Sequence, residues 1–237
     1  MRSILLVRCD PSDTFGVAPA AIRASGAEIE IWEAFEGHPR PSIDGIGGVV
    51  VLGSTYNVEH ADEQPFIKDI RELTLDAIDR RIPYLGVCFG AQLLAWSLDA
   101  DVVKAPVREL GYEQIVPTAH AADDPLLSAY RAGDRVFEWH MDTFSLPEGA
   151  VLLATGRGVR NQAYRIGDRT WGIQFHFEVD RPELEMWLDE YTKKDDLSAT
   201  WGKSTDQIRA EADAYQAAHE ERGREIFRRF ASVSDQH

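Results

Sequence analysis

The chain has 237 residues, only two of them cysteine, with 44% apolar residues and a formal net charge of -15. That length can bury a sizeable core, while the acidic surplus repels phosphate backbones and anionic lipid and so speaks against nucleic-acid and membrane partners. Cys9 and Cys88 are too few for a disulfide framework, the opening run Met1 to Asp10 is too short for a signal sequence, and no stretch reaches membrane-spanning length. A cytoplasmic protein is expected.

Ile4 to Val7 is a continuous apolar run, as a parallel strand buried on both faces requires, and Asp10-Pro11-Ser12 breaks it. Cys9, just past its end, is expected to be inert. Ala18 to Ser25 suits a short helix closed by Gly26, and Glu28 to Trp32 alternates as a more exposed strand. Gly47 to Gly53 is a second buried strand running into the polar turn Gly53 to Asn57. Pro65 opens a helix with Phe66, Ile70, Leu73 and Ala77 on one face, ending near Arg80-Arg81.

The next strand runs from Tyr84 into Gly86-Val87-Cys88-Phe89-Gly90, and a helix pattern restarts at Ala91 to Trp96. Gly-x-Cys-x-Gly is the thiol counterpart of the nucleophile elbow, a sharp strand-to-helix turn that thrusts the nucleophile outward. The N-terminal amides of the following helix favour a thiolate and can donate to an oxyanion. Repeated strand-helix-strand units with buried strands imply a doubly wound, mostly parallel α/β sheet with its site at the carboxyl ends of the strands. Gly53 and Cys88 both fall there.

Shorter strands follow at Asp101 to Lys104, Tyr112 to Val116, Arg135 to Trp139, Val151 to Ala154, Ala163 to Ile166 and Thr170 to Phe175, with a helical turn at Pro125 to Ser128. Gly167-Asp168 is a hairpin signal, so this half is read as antiparallel additions to the sheet. The last strand runs into Gln174-Phe175-His176-Phe177-Glu178, where extended chain would put His176 and Glu178 on one face. Cys88, His176 and Glu178 then form a candidate relay of nucleophile, base and orienter. From Pro182 the chain is helical, with Leu184, Trp187, Leu188 and Tyr191 as an apolar stripe. Ser204 opens a last long helix with Gln207 placed for a capping box, and Ala210, Ala214, Ala217, Ala218, Phe227 and Phe230 are the expected docking face.

Gly86 to Gln92, the Gly53 turn and His176-Phe177-Glu178 resemble the class I, triad-type glutamine amidotransferases. Gly111-Tyr112, Trp139 to Phe144 and Asn161 to Tyr164 resemble the stand-alone members similar to the glutaminase domain of GMP synthase. The resemblance implies a flavodoxin-like fold over residues 1–192 with a helical extension, 193–237, packed on the same domain. It implies Cys88 as nucleophile, His176 as base and then acid, and Glu178 as orienter. The amides of Phe89 and of the Gly53-Ser54 turn would form the oxyanion hole, and Gln92 would help hold the glutamyl group; His140 and Asp142 would line the site, or equally Trp139-His140 is only a buried strand end. Two departures stand out: Gly53-Ser54-Thr55 replaces a frequent Gly-Gly-Pro, and Phe177 replaces a frequent proline between the histidine and the glutamate.

The expected function is a glutaminase without cofactor that forms a γ-glutamyl thioester and releases ammonia for a separate synthase subunit. No Gly-x-x-x-x-Gly-Lys loop occurs in the chain. The alternative is a self-sufficient hydrolase of γ-glutamyl amides or peptides; a non-catalytic regulatory protein is disfavoured by the intact Cys, His and Glu. A metal held by His140, Asp142, His176 and Glu178 is weakly supported, since the spacing matches no known ligand pattern. Self-association into a homo-oligomer is left open.

Overall fold

The computed structural model describes residues 3–235. The first half comprises β1 (Ser3–Arg8), α1 (Ala18–Ala24), β2 (Ile29–Glu33), β3 (Ile46–Val51), α2 (Pro65–Asp79), β4 (Tyr84–Val87) and α3 (Phe89–Ser97). The second comprises β5 (Val102–Pro117), β6 (Arg135–Phe144), β7 (Val151–Gly156), β8 (Asn161–Ile166), β9 (Thr170–Ile173), α4 (Arg181–Thr192), α5 (Leu197–Trp201) and α6 (Thr205–Asp235). Among the described residues the strands form one sheet in the order β2-β1-β3-β4-β9-β8-β7-β5-β6. The run from β2 to β9 is parallel and the rest antiparallel, so this is a flavodoxin-like doubly wound sheet with antiparallel additions.

Side chains alternate between the two faces of the buried strands. Leu5, Val7, Val49 and Val51 meet Phe66, Ile67, Ile70 and Leu73 of α2 on one face. Ile4, Leu6, Val50 and Leu52 meet Ala18 and Ile22 of α1 and Ile226, Phe227 and Phe230 of α6 on the other. Each fully buried aliphatic or aromatic side chain contributes about 1.5–3 kcal/mol of transfer free energy, so the two layers hold the parallel strand ends rigidly. A third cluster joins Leu110, Tyr112 and Phe137 of the β5–β6 hairpin to Leu184, Leu188, Leu197 and Ile208.

Several expectations change. The two strands expected at 101–104 and 112–116 are one, β5, whose pairing with β6 breaks between Lys104 and Glu109. Pro106 has no N–H for the ladder, so the intervening residues bulge outward while the strand resumes. β6 continues past Trp139 to Phe144 because β5 pairs with it on both sides of the break, Glu109 with His140 and Val102 to Lys104 with Asp142 to Phe144. β9 stops at Ile173, short of Phe175: after a last bond from Gln174 N to Gln162 O of β8 at 2.8 Å the chain turns toward β6, where His176 N donates to Phe137 O at 2.9 Å. The helical turn of this half is found at Leu127–Ala129, with a second at Ala119–Asp123.

The largest correction concerns α6. Its capping box forms as expected, with Ser204 N donating to Gln207 Oε1 at 2.8 Å and Gln207 N to Ser204 Oγ at 3.2 Å. Ala210, Ala214, Ala217 and Ala218 nevertheless face solvent, and the buried stripe is Ile208, Ala212, Gln216, His219, Gly223, Phe227 and Phe230. Alanine is indifferent to exposure, while Gln216 earns burial by accepting from Tyr112 Oη and donating to Val179 O at 3.0 Å.

Candidate active site

β4 ends at Val87 and α3 begins at Phe89, leaving Cys88 alone at the bend with φ +49° and ψ -102°. A non-glycine residue on the positive-φ side costs roughly 1–3 kcal/mol and persists only where its surroundings over-determine it. The surroundings do so: Cys88 N donates to Ile173 O at 2.8 Å. A Cβ on Gly86 would collide with the carbonyl of Gly90, and one on Gly90 with the carbonyl of Val51, so both glycines are required for the close approach. Cys88 is buried at 6% exposure. As the first residue of α3, Phe89 has an amide with no acceptor inside the helix, beside the sulfur.

His176 Nδ1 donates to Glu178 Oε1 at 2.6 Å, and both side chains are buried. Burial alone would push the imidazole down, but the charges of Cys88 and Glu178, with a hydrogen bond to each, outweigh it and hold His176 well above its ordinary value. Three further contacts fix the ring. Trp187 packs edge-on at 5.1 Å, Val17 N anchors Glu178 O at 2.9 Å, and Gly53 lies so close that a Cβ there would sit 2.7 Å from Cε1.

Behind Glu178 lie two more buried carboxyls that the sequence did not flag. Glu183 Oε1 accepts from Thr14 N and, at 2.9 Å, from Thr14 Oγ1; burial first and then the charge of Glu178 push Glu183 up to about 7. Asp13 Oδ1 accepts from Phe15 N at 2.7 Å, and burial, followed by the charges of Glu183 and Glu178, pushes Asp13 well up.

The Gly53-Ser54-Thr55 turn is organised by Asp10 from the end of β1. Thr55 N and Oγ1 donate to Asp10 Oδ2 at 3.0 and 2.5 Å, and Ser12 N and Oγ donate to Oδ1 at 2.9 and 2.5 Å. Burial would raise this carboxyl, yet the four donors hold it below its ordinary value. Ser54 Oγ bonds Cys9 O at 3.1 Å, which ties the turn to the next strand end. The hydroxyls therefore replace ring rigidity with hydrogen bonds.

The remaining nominated residues are engaged with protein partners. Gln92 Nε2 donates to Asp142 O and to Gln174 Oε1, each at 3.3 Å, and Gln174 Nε2 donates to Cys88 Sγ at 3.6 Å. His140 Nδ1 donates to Asp142 O at 3.0 Å, while its Nε2 lies 3.0 Å from Glu138 Oε2 and 3.1 Å from Glu109 Oε2. Burial pushes His140 down, but the hydrogen bonds to Glu109 and Glu138 win and carry it up to about 10. The Asp142 carboxylate pairs with Lys104 Nζ at 2.9 Å. The four residues His140, Asp142, His176 and Glu178 do not converge on one point. Among the described residues the group that could gather an ion is Glu109, Glu138 and His140, whose ligand atoms lie within 4.8 Å of one another. Alternation along β6 puts Glu138, His140 and Asp142 on one face, a signal that was available; Glu109, Asp13 and Glu183 come from distant segments and carried none.

The sequence model described as "Glutamine amidotransferase class-I" matches residues 19–187. GMP synthase of Porphyromonas gingivalis (strain W83) is 36% identical over 143 residues, which are 60% of this chain and 26% of that protein. The chain thus matches about a quarter of the length of these relatives. A glutamine amidotransferase-like protein of Salmonella typhimurium is 28% identical over 148 residues, 61% of this chain and 62% of that one. Among solved structures, a glutamine amidotransferase from Thermotoga maritima has a TM-score of 0.87 at 23% identity, covering 97% of this chain and 98% of the other. One from Methylobacillus flagellatus has a TM-score of 0.89 at 23% identity, covering 98% and 95%. No helix among the described residues is long and apolar enough to cross a membrane.

Proposed function

The chain belongs to the class-I glutamine amidotransferase family, and from that premise we propose that it hydrolyses the side-chain amide of glutamine through Cys88, His176 and Glu178 and supplies the ammonia to a separate synthase. The observation that carries this reading is the strained Cys88 at the head of α3 beside a buried histidine already paired with a carboxylate.

In the proposed reaction His176 takes the Cys88 proton and Cys88 Sγ adds to the amide carbon. The carbonyl oxygen becomes an oxyanion that accepts from the amide of Phe89 and one in the Gly53-Ser54 turn. His176 gives its proton to the nitrogen, the C–N bond breaks, and ammonia leaves a γ-glutamyl thioester. Water, deprotonated by His176, adds to the thioester; the C–S bond breaks, glutamate departs and the proton returns to the Cys88–His176 pair. Glu178 keeps the imidazole oriented and balances its positive charge throughout. His140 and Asp142 support this arrangement from behind, bonded to protein partners, as is Gln92 through its Nε2.

Ammonia release from glutamine, from γ-glutamyl amides and from glutamine in the presence of a synthase-containing extract fraction tests the reading. Turnover of glutamine that rises with the fraction and vanishes in Cys88→Ala is expected. Release from γ-glutamyl amides with no turnover of glutamine would overturn the donor assignment in favour of a self-sufficient hydrolase.

A further inference from the structure

The buried carboxamide of Gln174 has no part in the mechanism above, yet its orientation follows from the chain of groups behind it. The carbonyl oxygen of Asp142 can only accept, so Gln92 must turn its Nε2 toward it, at 3.3 Å. The same Nε2 lies 3.3 Å from Gln174 Oε1, which therefore accepts as well. With Oε1 so committed, Gln174 presents Nε2 to the Cys88 sulfur at 3.6 Å. Flipping Gln92 would set its oxygen against Asp142 O, and flipping Gln174 would set its amide nitrogen against Gln92 Nε2, donor against donor. The anchors are firm: Asp142 O also accepts from His140 Nδ1 at 3.0 Å, and Gln174 N donates to Gln162 O at 2.8 Å. Gln174 is fully buried and Gln92 is 4% exposed, so water does not compete with these bonds.

We propose that Gln174 is a catalytic residue of this hydrolysis, donating to the Cys88 sulfur whenever that atom carries negative charge, and that Gln92 is a positioning residue that acts through it. The proposal rests on the reading of Cys88 as nucleophile. The sulfur is charged just before it adds to the amide carbon and again as the thioester C–S bond breaks. A donor fixed beside it serves both steps and undergoes no covalent change. It leaves the bound glutamine untouched, so its effect belongs to turnover and not to substrate affinity. Hydrogen bonds to charged groups set the scale, and loss of this one is expected to cost about 10- to 100-fold in kcat.

The test compares wild type with Gln174→Met, which removes the donor at similar volume, and Gln174→Glu, which still accepts from Gln92 but faces the sulfur with an oxygen. Wild type is first treated with a diazo-ketone analogue of glutamine and mapped for an adduct at Cys88; absence of that adduct would remove the nucleophile assignment itself, whatever Gln174 does. With the adduct in hand, both Gln174 variants should lose kcat by about 10- to 100-fold with KM held within about threefold, and alkylation of Cys88 by iodoacetamide should slow in parallel. Gln92→Leu should move the same way by a smaller factor. Thermal melting of each variant accompanies the kinetics, and Gln174→Glu carries the test should Gln174→Met fail to fold. Wild-type kcat and alkylation in the Gln174 variants, or a raised KM at unchanged kcat, would overturn the proposal.

Discussion

His176 is held at four points: Glu178 at Nδ1, Trp187 on an edge of the ring, the bare Cα of Gly53 against Cε1, and Phe137 O at its backbone N–H. Gly53 is thus defined by what it lacks. Adding one methyl group in Gly53→Ala places a Cβ 2.7 Å from Cε1, and either the turn or the ring must move. A displacement approaching 1 Å at a reacting group costs about 100-fold, so Gly53→Ala is expected to lower kcat by roughly that factor while the melting temperature changes little. Steady-state kinetics beside thermal melting checks this; unaltered turnover would mean that the turn yields freely. At this scale the sequence was informative where chemistry is local. The Gly-x-Cys-x-Gly spacing and the His176–Glu178 pair could be read directly, because a bend and a two-residue offset are short-range facts. The acids behind Glu178 could not, since Thr14 and Glu183 meet across 169 positions of sequence.

Among the elements, α6 bears most directly on the site. Gly223 packs so tightly on the His176–Glu178 segment that a Cβ there would overlap Phe177 O, and Phe177 lies against Phe227 at 5.1 Å. Phe177, between His176 and Glu178, thus docks this segment on the terminal helix. Gly223→Val is therefore expected to push the segment off the helix, destabilising the fold by about 1–3 kcal/mol and lowering kcat more than it raises KM. Denaturant unfolding and kinetics on the same preparation check both halves, and a stable, fully active variant would show that α6 does not position the segment. The existence of α6 and its start were legible from Ser204 and Gln207, a capping pattern with a defined geometry. The end of its buried face was legible from Phe227 and Phe230, but the rest was not, because it carries Gln216, His219 and Gly223, whose burial depends on partners in β5 and in the loop after β9.

For the whole molecule, the parallel half was legible because strands buried on both faces leave unbroken apolar runs between helices. The antiparallel half was read less well, since β5 is interrupted by an outward bulge that looks like a loop in sequence. That half contributes its share of the pH response of stability through His140, whose imidazole sits between Glu109 and Glu138, beside the share of the raised His176. Its folded value of about 10 lies above the unfolded value of about 6.5. The native state then holds a proton that the unfolded chain releases, so the contribution is full below pH 6.5 and is lost as pH rises toward 10. Burial pushes Glu138 up to about 7, and this adds a decline between pH 4.5 and 7. Unfolding free energies from denaturant titrations at pH 7 to pH 10 should fall for wild type by up to a few kcal/mol, and His140→Gln should be less stable at pH 7 but flatter with pH. Parallel curves would exclude His140 as the source.

The central claim is that Cys88 is the atom through which this member of the glutamine amidotransferase family does its chemistry. Intact-mass analysis with peptide mapping after incubation with a diazo-ketone analogue of glutamine, in wild type and Cys88→Ala, tests it most directly. One adduct on Cys88, absent from Cys88→Ala and prevented by excess glutamine, is the predicted result. An adduct on Cys9, or none on a protein that still releases ammonia from glutamine, would contradict the account.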